Sequence, residues 1–159
     1  MRRVLAIGQA NRRYYLARGV PETRIFEMPY AVDNEFFGKL ADGADLSLLR
    51  QDLGLPPNGK TVLFAGKFSR RKRPDLLLSA WLEADWAPGG RPALLMVGDG
   101  EMRRELEKRA PEDVHFPGFV NQSHLPALYA LADLFVLPSG REPWGLAVNE
   151  AMACGTPAI

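Results

Sequence analysis

Three stretches of this 159-residue chain gather side chains that can do chemistry together. In Gly66-Lys67-Phe68-Ser69-Arg70-Arg71-Lys72-Arg73, five cations fall between positions 67 and 73 with no acid among them. A basic loop between a strand and a helix can wrap a diphosphate. Its cations neutralise the charge, and the helix start supplies free N–H groups. The same run also reads as a plain solvated loop. In Pro138-Ser139-Gly140-Arg141-Glu142-Pro143-Trp144-Gly145-Leu146-Ala147-Val148-Asn149-Glu150, two carboxylates flank a helix start near Gly145. Free N–H groups of residues 144–147 would face an anion there, while Glu142 and Glu150 accept hydrogen bonds from hydroxyls. That combination suits a ligand carrying both phosphate and hydroxyls. The plainer alternative is a local cap at Glu142 and a solvated Glu150. Gly98-Asp99-Gly100-Glu101-Met102-Arg103 has the first two glycines of a dinucleotide fingerprint. Arg103 replaces the third and Glu101 would repel a pyrophosphate, so it reads as a tight turn.

Other candidates are weaker. His115 and His124 have no carboxylate or cysteine partner nearby in sequence and read as structural or surface residues. Cys154, beside Gly155, reads as a small packed residue, and Trp81 and Trp86 as packing. There is no GxxxxGK[ST] phosphate loop, no Ser–His–Asp arrangement, no metal-ligand cluster and no nucleophile elbow. No metal and no cofactor are therefore expected.

These loops need elements to hold them. Short apolar runs alternate with amphipathic stretches along the chain. Strands are expected at 3–7, 24–28, 61–65, 93–97, 114–116 and 133–137. Helices are expected at 9–18, 45–53 (with Asp45 as N-cap), 74–84, 101–109, 123–131 and 145–154, with 29–37 irregular. Ala158-Ile159 reads as the start of another strand, which predicts a chain cut within a domain. Near-continuous apolar strands between helices mean βαβ units and a parallel sheet covered on both faces. In such sheets ligands sit at the carboxyl ends of the strands, where the three stretches fall.

Composition sets the outer limits. Hydrophobic residues make up 47% and charged residues 25%, which excludes a disordered chain. Twenty Lys plus Arg against nineteen Asp plus Glu leave a net charge of +1, so any anion site is local and nucleic acid is not an expected partner. One cysteine excludes an internal disulfide and fits the reducing cytoplasm. No apolar run reaches the ~18–20 residues of a membrane helix, which leaves room for peripheral membrane association.

At the loops the sequence resembles the donor-binding half of glycosyltransferase family 4, retaining sugar transferases of the two-domain GT-B fold. VLFAGKFSRRKRPDLLLSA at 62–80 resembles the block whose two cations hold the donor diphosphate, with Lys67 and Lys72 on those positions and Gly66 beside them. It departs at Lys67, more often Arg, and at Arg73, usually Gly. VGDGEMRREL at 97–106 resembles the family's glycine turn, and the GFV segment at 118–120 points to Phe119 and Val120 beside the nucleobase. Glu142 to Glu150 resembles the E-x7-E motif and runs into EAMACGTP. The resemblance implies that Glu142 contacts the transferred sugar, Glu150 the ribose, and the backbone at Trp144, Gly145 and Leu146, next to Pro143, the sugar and phosphate. Residues 7–37 resemble the end of the acceptor domain and the linker.

The expected architecture is therefore α/β, a Rossmann-like doubly wound parallel sheet forming the donor half of a GT-B fold, truncated. Residues 1–28 would be the acceptor-side remnant, 29–59 the linker and first helix, and 60–159 the nucleotide-sugar-binding domain. The resemblance implies transfer of a sugar from a nucleoside-diphosphate sugar to an acceptor hydroxyl, with retention. Lys67, Lys72 and Glu142 would carry the chemistry. The acceptor would be lipid-linked, a polysaccharide or a small molecule. Three rivals remain at this point: a non-catalytic nucleotide-sugar-binding domain, a sugar-nucleotide epimerase and a sugar phosphorylase.

Overall fold

The computed structural model describes residues 3–86 and 90–159, and the chain divides into two compact units meeting between Val32 and Asp33. In the first, β1 (Val4–Ala6) and β2 (Ile25–Glu27) pair in parallel, with Val4 opposite Ile25, and α1 (Gln9–Ala17) crosses between them. Asn11 anchors the entry to α1 by accepting from the Ile7 N–H at 3.2 Å, and Arg12 pairs with Glu22. Gly19, at φ 78°, takes the left-handed turn after the helix.

The second unit opens with α2 (Asn34–Asp42) and α3 (Leu46–Asp52). It continues with β3 (Thr61–Ala65), α4 (Pro74–Glu83), β4 (Ala93–Val97), α5 (Arg103–Arg109), β5 (Val114–Gly118), α6 (Leu125–Leu131), β6 (Leu134–Phe135) and α7 (Leu146–Ala153). The strands are parallel in the order β5-β4-β3-β6, and Ala158 pairs in parallel with Phe135 beyond them. From β3 the chain steps outward to β4 and β5, then returns past β3 to β6. That reversal makes the gap between the ends of β3 and β6 a topological switch point, where open sheets of this kind leave a crevice.

Register explains the two faces. Leu63, Leu95 and Phe135 lie side by side across the sheet, and Phe135 meets the Tyr129 ring edge-on at 5.4 Å. On the opposite face Phe64, Leu94 and Met96 pack with Phe68, Leu78, Trp81 and Leu106. All five residues of β4 are buried, as a strand covered by helices on both sides requires. This is the doubly wound parallel α/β sheet that the apolar strand pattern implies.

The structure corrects several boundaries. Residues 34–42 form α2 where irregular chain is expected to Phe37. Asp33 caps the helix by accepting from the Phe36 N–H at 2.9 Å, and Phe37 and Ala41 are buried. The helix contains Gly38, a poor helix former, and a Cβ there would make only ordinary contact with the Ala153 carbonyl oxygen at 3.6 Å. β5 runs on to Gly118 with a register shift opposite Leu95–Val97, because Pro117 has no N–H for the ladder. β6 is two residues rather than the five expected, although Val136 and Leu137 still donate to Leu63 and Ile159 at 2.8 and 2.9 Å. Asp45 caps α3 as expected, accepting from Ser47 and Leu48 at 3.1 and 3.0 Å.

The glycine turn after β4 is pressed against the loop after β3. Phe68 N–H donates to the Asp99 carbonyl at 2.8 Å and Gly66 N–H to the Val97 carbonyl at 2.9 Å. A Cβ at Gly98, where φ is 136°, would overlap the Gly66 carbonyl oxygen, and one at Gly100 would lie 2.5 Å from the Phe68 carbonyl oxygen. We expect Gly98→Ala to destabilise the chain by about 3 kcal/mol or more. Gly140→Ala, whose Cβ meets nothing closer than Arg73 Cγ at 4.0 Å, should change stability by less than about 0.5 kcal/mol. Denaturant midpoints of the two variants check this; equal midpoints would mean the turn has room to spare.

Candidate functional site

The loops after β3, β4 and β5 and the faces of α6 and α7 enclose a cavity of about 600 Å³ at the carboxyl ends of the strands. Gly66, Lys67, Lys72, Phe119, Val120 and Glu150, all singled out in the sequence, line it. Glu142 reaches it only through Lys72, whose ammonium donates to Glu142 Oε2 at 2.6 Å. Pro143, Trp144, Gly145 and Leu146 form the turn into α7 and are not among the lining residues.

The cations divide by partner. Lys72 is largely buried and paired, whereas Lys67 is exposed and has no ion-pair partner among the described residues. Arg71 reaches Glu142 Oε1 at 3.3 Å, and Arg70 is exposed. Arg73 has φ 53° and ψ 45°, the left-handed region, and is the only non-glycine residue with positive φ among the described residues. That conformation gives a physical reason for the glycine usual there in the resembling family. An Arg in it carries strain of about 1 kcal/mol.

At α7 no side chain caps the helix start, and the Leu146 and Ala147 amides make no hydrogen bond among the described residues. Gly145 sits at φ 86°, and a Cβ there would lie 3.4 Å from Glu142 Cγ. The turn therefore brings Glu142 back over its own helix start, beside the two loop cations. Burial alone would raise the Glu142 pKa. Hydrogen bonding from Lys72 and Ser139, with the charges of Lys72 and Arg71, outweighs burial and holds the carboxyl below the usual range. The Ser139 hydroxyl is close enough to contribute, yet enclosed and without a hydrogen bond of full geometry.

Ala147, whose amide the sequence marked, also lines the cavity, as do Tyr129, Asp99 and Leu125, whose side chains sequence reasoning missed. Tyr129 donates to Glu150 Oε2 at 3.0 Å across 21 positions, too far apart for a short motif. The one available signal is a phenol in the otherwise apolar helix LPALYAL. Burial first, then the neighbouring Glu150, raises the Tyr129 pKa, so the phenol stays a donor. Cys154 lies nearby, donating to the Phe37 carbonyl at 3.7 Å. Burial, with Glu150 and Asp42, pushes its thiol up to about 11, which keeps it protonated at neutral pH. The His124 ring meets the hydroxyl of its neighbour Ser123 at 3.2 Å, and Trp81 and Trp86, whose tilted rings lie 4.5 Å apart, are not among the cavity-lining residues. Among the described residues no group of three or more His, Cys, Asp or Glu is arranged around a metal-sized gap, and no helix is long and apolar enough to cross a membrane.

The Glu142 pair has a pH signature. Its folded pKa lies below the unfolded value, so its contribution is present above the ordinary carboxylate range and is lost as pH falls through the folded value. Glu142→Gln should cost about 1 kcal/mol near pH 7, and the gap should close as pH falls through the lowered folded value. Denaturation at a series of pH values checks this, and a gap constant with pH would deny the pair any charge-based contribution.

Residues 47–159 match the family described as Glycosyl transferases group 1. Mannosylfructose-phosphate synthase of Agrobacterium fabrum is 33% identical, over 89% of this chain and 33% of the relative. Alpha-galactosylglucosyldiacylglycerol synthase of Streptococcus pneumoniae is also 33% identical, over 91% of this chain and 39% of the relative. This chain thus spans well under half the length of these curated relatives. Among solved structures, Anabaena HepE in complex with UDP and glucose superposes with a TM-score of 0.79 at 26% identity, over 98% of this chain and 43% of that one. Sucrose-phosphate synthase from Thermosynechococcus elongatus superposes with a TM-score of 0.74 at 30% identity, over 98% and 39%. The family match covers most of the chain and all of the cavity-lining residues, and on that ground the chain belongs to the glycosyl transferases group 1 family.

Proposed function

We propose that the intact protein transfers a sugar from a nucleoside-diphosphate sugar to an acceptor hydroxyl, with retention of configuration, as the family 4 resemblance implies. The observation that carries this reading is one cavity lined by two lysines, by Ala147 at an uncapped helix start and by Glu150, a carboxylate held by a tyrosine. The HepE neighbour, solved with UDP and glucose, supports a donor of this class. In this reading the diphosphate lies among Lys67, Lys72 and the α7 amides. The ribose lies at Glu150, the base near Phe119 and Val120, and the sugar toward Glu142 and the 143–146 turn.

The barrier is cleavage of the bond from the sugar carbon to the phosphate oxygen. Negative charge grows on the departing phosphate, and fixed cations and amide dipoles there lower the energy of the transition state more than that of the bound donor. Glu142 orients the sugar. No cofactor enters this reading. Residues 1–28 are read as the end of an acceptor-side domain. The two curated relatives are named for a sugar phosphate and for a diacylglycerol glycolipid, so acceptors differ among proteins that share this half. An acceptor at a lipid surface would call for peripheral association.

Titration of UDP, GDP and ADP and their sugars against the full-length enzyme tests the reading. Lys72→Ala should weaken the bare diphosphate by about 1–3 kcal/mol, and Arg70→Ala by less than about 0.5 kcal/mol. Equal losses would mean a diffuse basic patch. Glu150→Ala should weaken the bare diphosphate and the sugar nucleotide alike, by about 1.5–3 kcal/mol. Glu142→Ala should leave the bare diphosphate no weaker, since it unburdens Lys72, while weakening the sugar nucleotide and slowing transfer further. If Glu142→Ala weakened the bare diphosphate as much as Glu150→Ala, the assignment of Glu142 to the sugar would fail.

A further inference from the structure

The two carboxylates of the site are held in opposite ways. Glu142 is neutralised by Lys72 and Arg71. Glu150 lines the same cavity as Lys67 and Lys72, yet neither lysine pairs with it; its partner is the uncharged phenol of Tyr129, 3.0 Å from Oε2. A carboxylate held by a neutral donor is not cancelled by a neighbouring cation and, having about four lone-pair sites, can still accept from two further donors. Without the phenol its terminal torsion is broad, and ordering it on binding costs affinity.

Tyr129 is itself tightly held. It is 1% exposed, with its ring against Phe135 at 5.4 Å and Phe37 at 6.5 Å, and its carbonyl accepts from the Thr156 hydroxyl at 2.6 Å. Helix α6, the sheet and the chain after α7 thus converge on one residue, whose phenol donates to Glu150. Packing alone would be served by phenylalanine.

We propose that Tyr129 is a positioning residue that orients Glu150 for a vicinal diol, giving the site its requirement for a ribose rather than a deoxyribose. This rests on the proposed donor site and adds the residue that sets its sugar discrimination. Two adjacent hydroxyls can donate to a fixed, unneutralised carboxylate together; a single hydroxyl uses only half of that arrangement and gains less from its being fixed.

The probes are UDP, GDP and ADP, each with its 2′-deoxy counterpart, and inorganic pyrophosphate, titrated against the full-length enzyme. The unsubstituted enzyme should favour the ribonucleotide about tenfold or more, as expected when a charged hydrogen bond is lost. Tyr129→Phe should shrink that preference about three- to tenfold while leaving pyrophosphate and the deoxynucleotide unchanged. Glu150→Ala should abolish the preference, and Tyr129→Phe should add nothing in that background. Thermal unfolding of each variant separates lost structure from lost discrimination, and the deoxynucleotide affinity is a second check on the fold of the site. A preference kept in Tyr129→Phe but lost in Glu150→Ala would overturn the proposal and leave Tyr129 as packing. A nucleotide bound with no ribose preference would overturn it together with the ribose role of Glu150. If no nucleoside diphosphate bound at all, the proposed function itself would fall, and this inference with it.

Discussion

The 2.6 Å contact between Lys72 and Glu142 joins the two loops that the sheet order sets on either side of its switch point. Parallel strands with one-sided crossovers leave their carboxyl ends without a covering helix where the order reverses. The loops after β3 and β6 both end there. One brings a run of cations that would repel one another, and the other brings a carboxylate that those cations can share. With both side chains mostly shielded, the pair acts in a lower dielectric than a surface bridge and fixes the relative position of the loops more firmly.

Around that pair, the backbone is shaped more by what has no side chain than by what has one. Gly98 and Gly100 let the β4 turn sit directly on residues 66–68, and Gly145 lets the next turn fold over the α7 start. Each is in a positive-φ conformation that a Cβ would strain. Arg73 holds such a conformation without that freedom, with its side chain 3.3 Å from Asp75. The cavity is therefore a consequence of close backbone approach. Its volume lies where the three loops come together but do not fill the space.

The chemistry follows from how charge is distributed within it. Two lysines and the start of α7 line it, and Glu150, further along α7, is held by a phenol instead of being cancelled by a lysine. A site with both a positive pole and a negative pole free of cations matches a molecule that carries both phosphate and hydroxyls. In the proposed reaction the positive pole serves the departing phosphate and the negative pole grips a part of the donor that does not react. That division lets binding energy from the nucleotide support the reacting centre.

By itself the sequence determined the strand-and-helix alternation, because period and apolar run length are local properties. It also determined the parallel sheet, because strands apolar on both faces need covering on both. It marked the basic run at 67–73 and the acids Glu142 and Glu150, because basic runs, helix starts and spaced acids are visible along a chain, whereas the family resemblance picked out Lys67, Lys72, Phe119 and Val120. It did not reveal α2, whose Asp33 cap is local but whose Phe37 and Ala41 gain only by burial in the folded unit. It did not distinguish the two glutamates by partner, since Lys72 lies 70 positions from Glu142 and Tyr129 lies 21 from Glu150. Those pairings are decided by which loop ends at which side of the switch point and by how α6 packs beside α7. Tertiary structure alone sets both, because hydrogen bonds and ion pairs act over a few ångströms of space and carry no trace of separation along the chain.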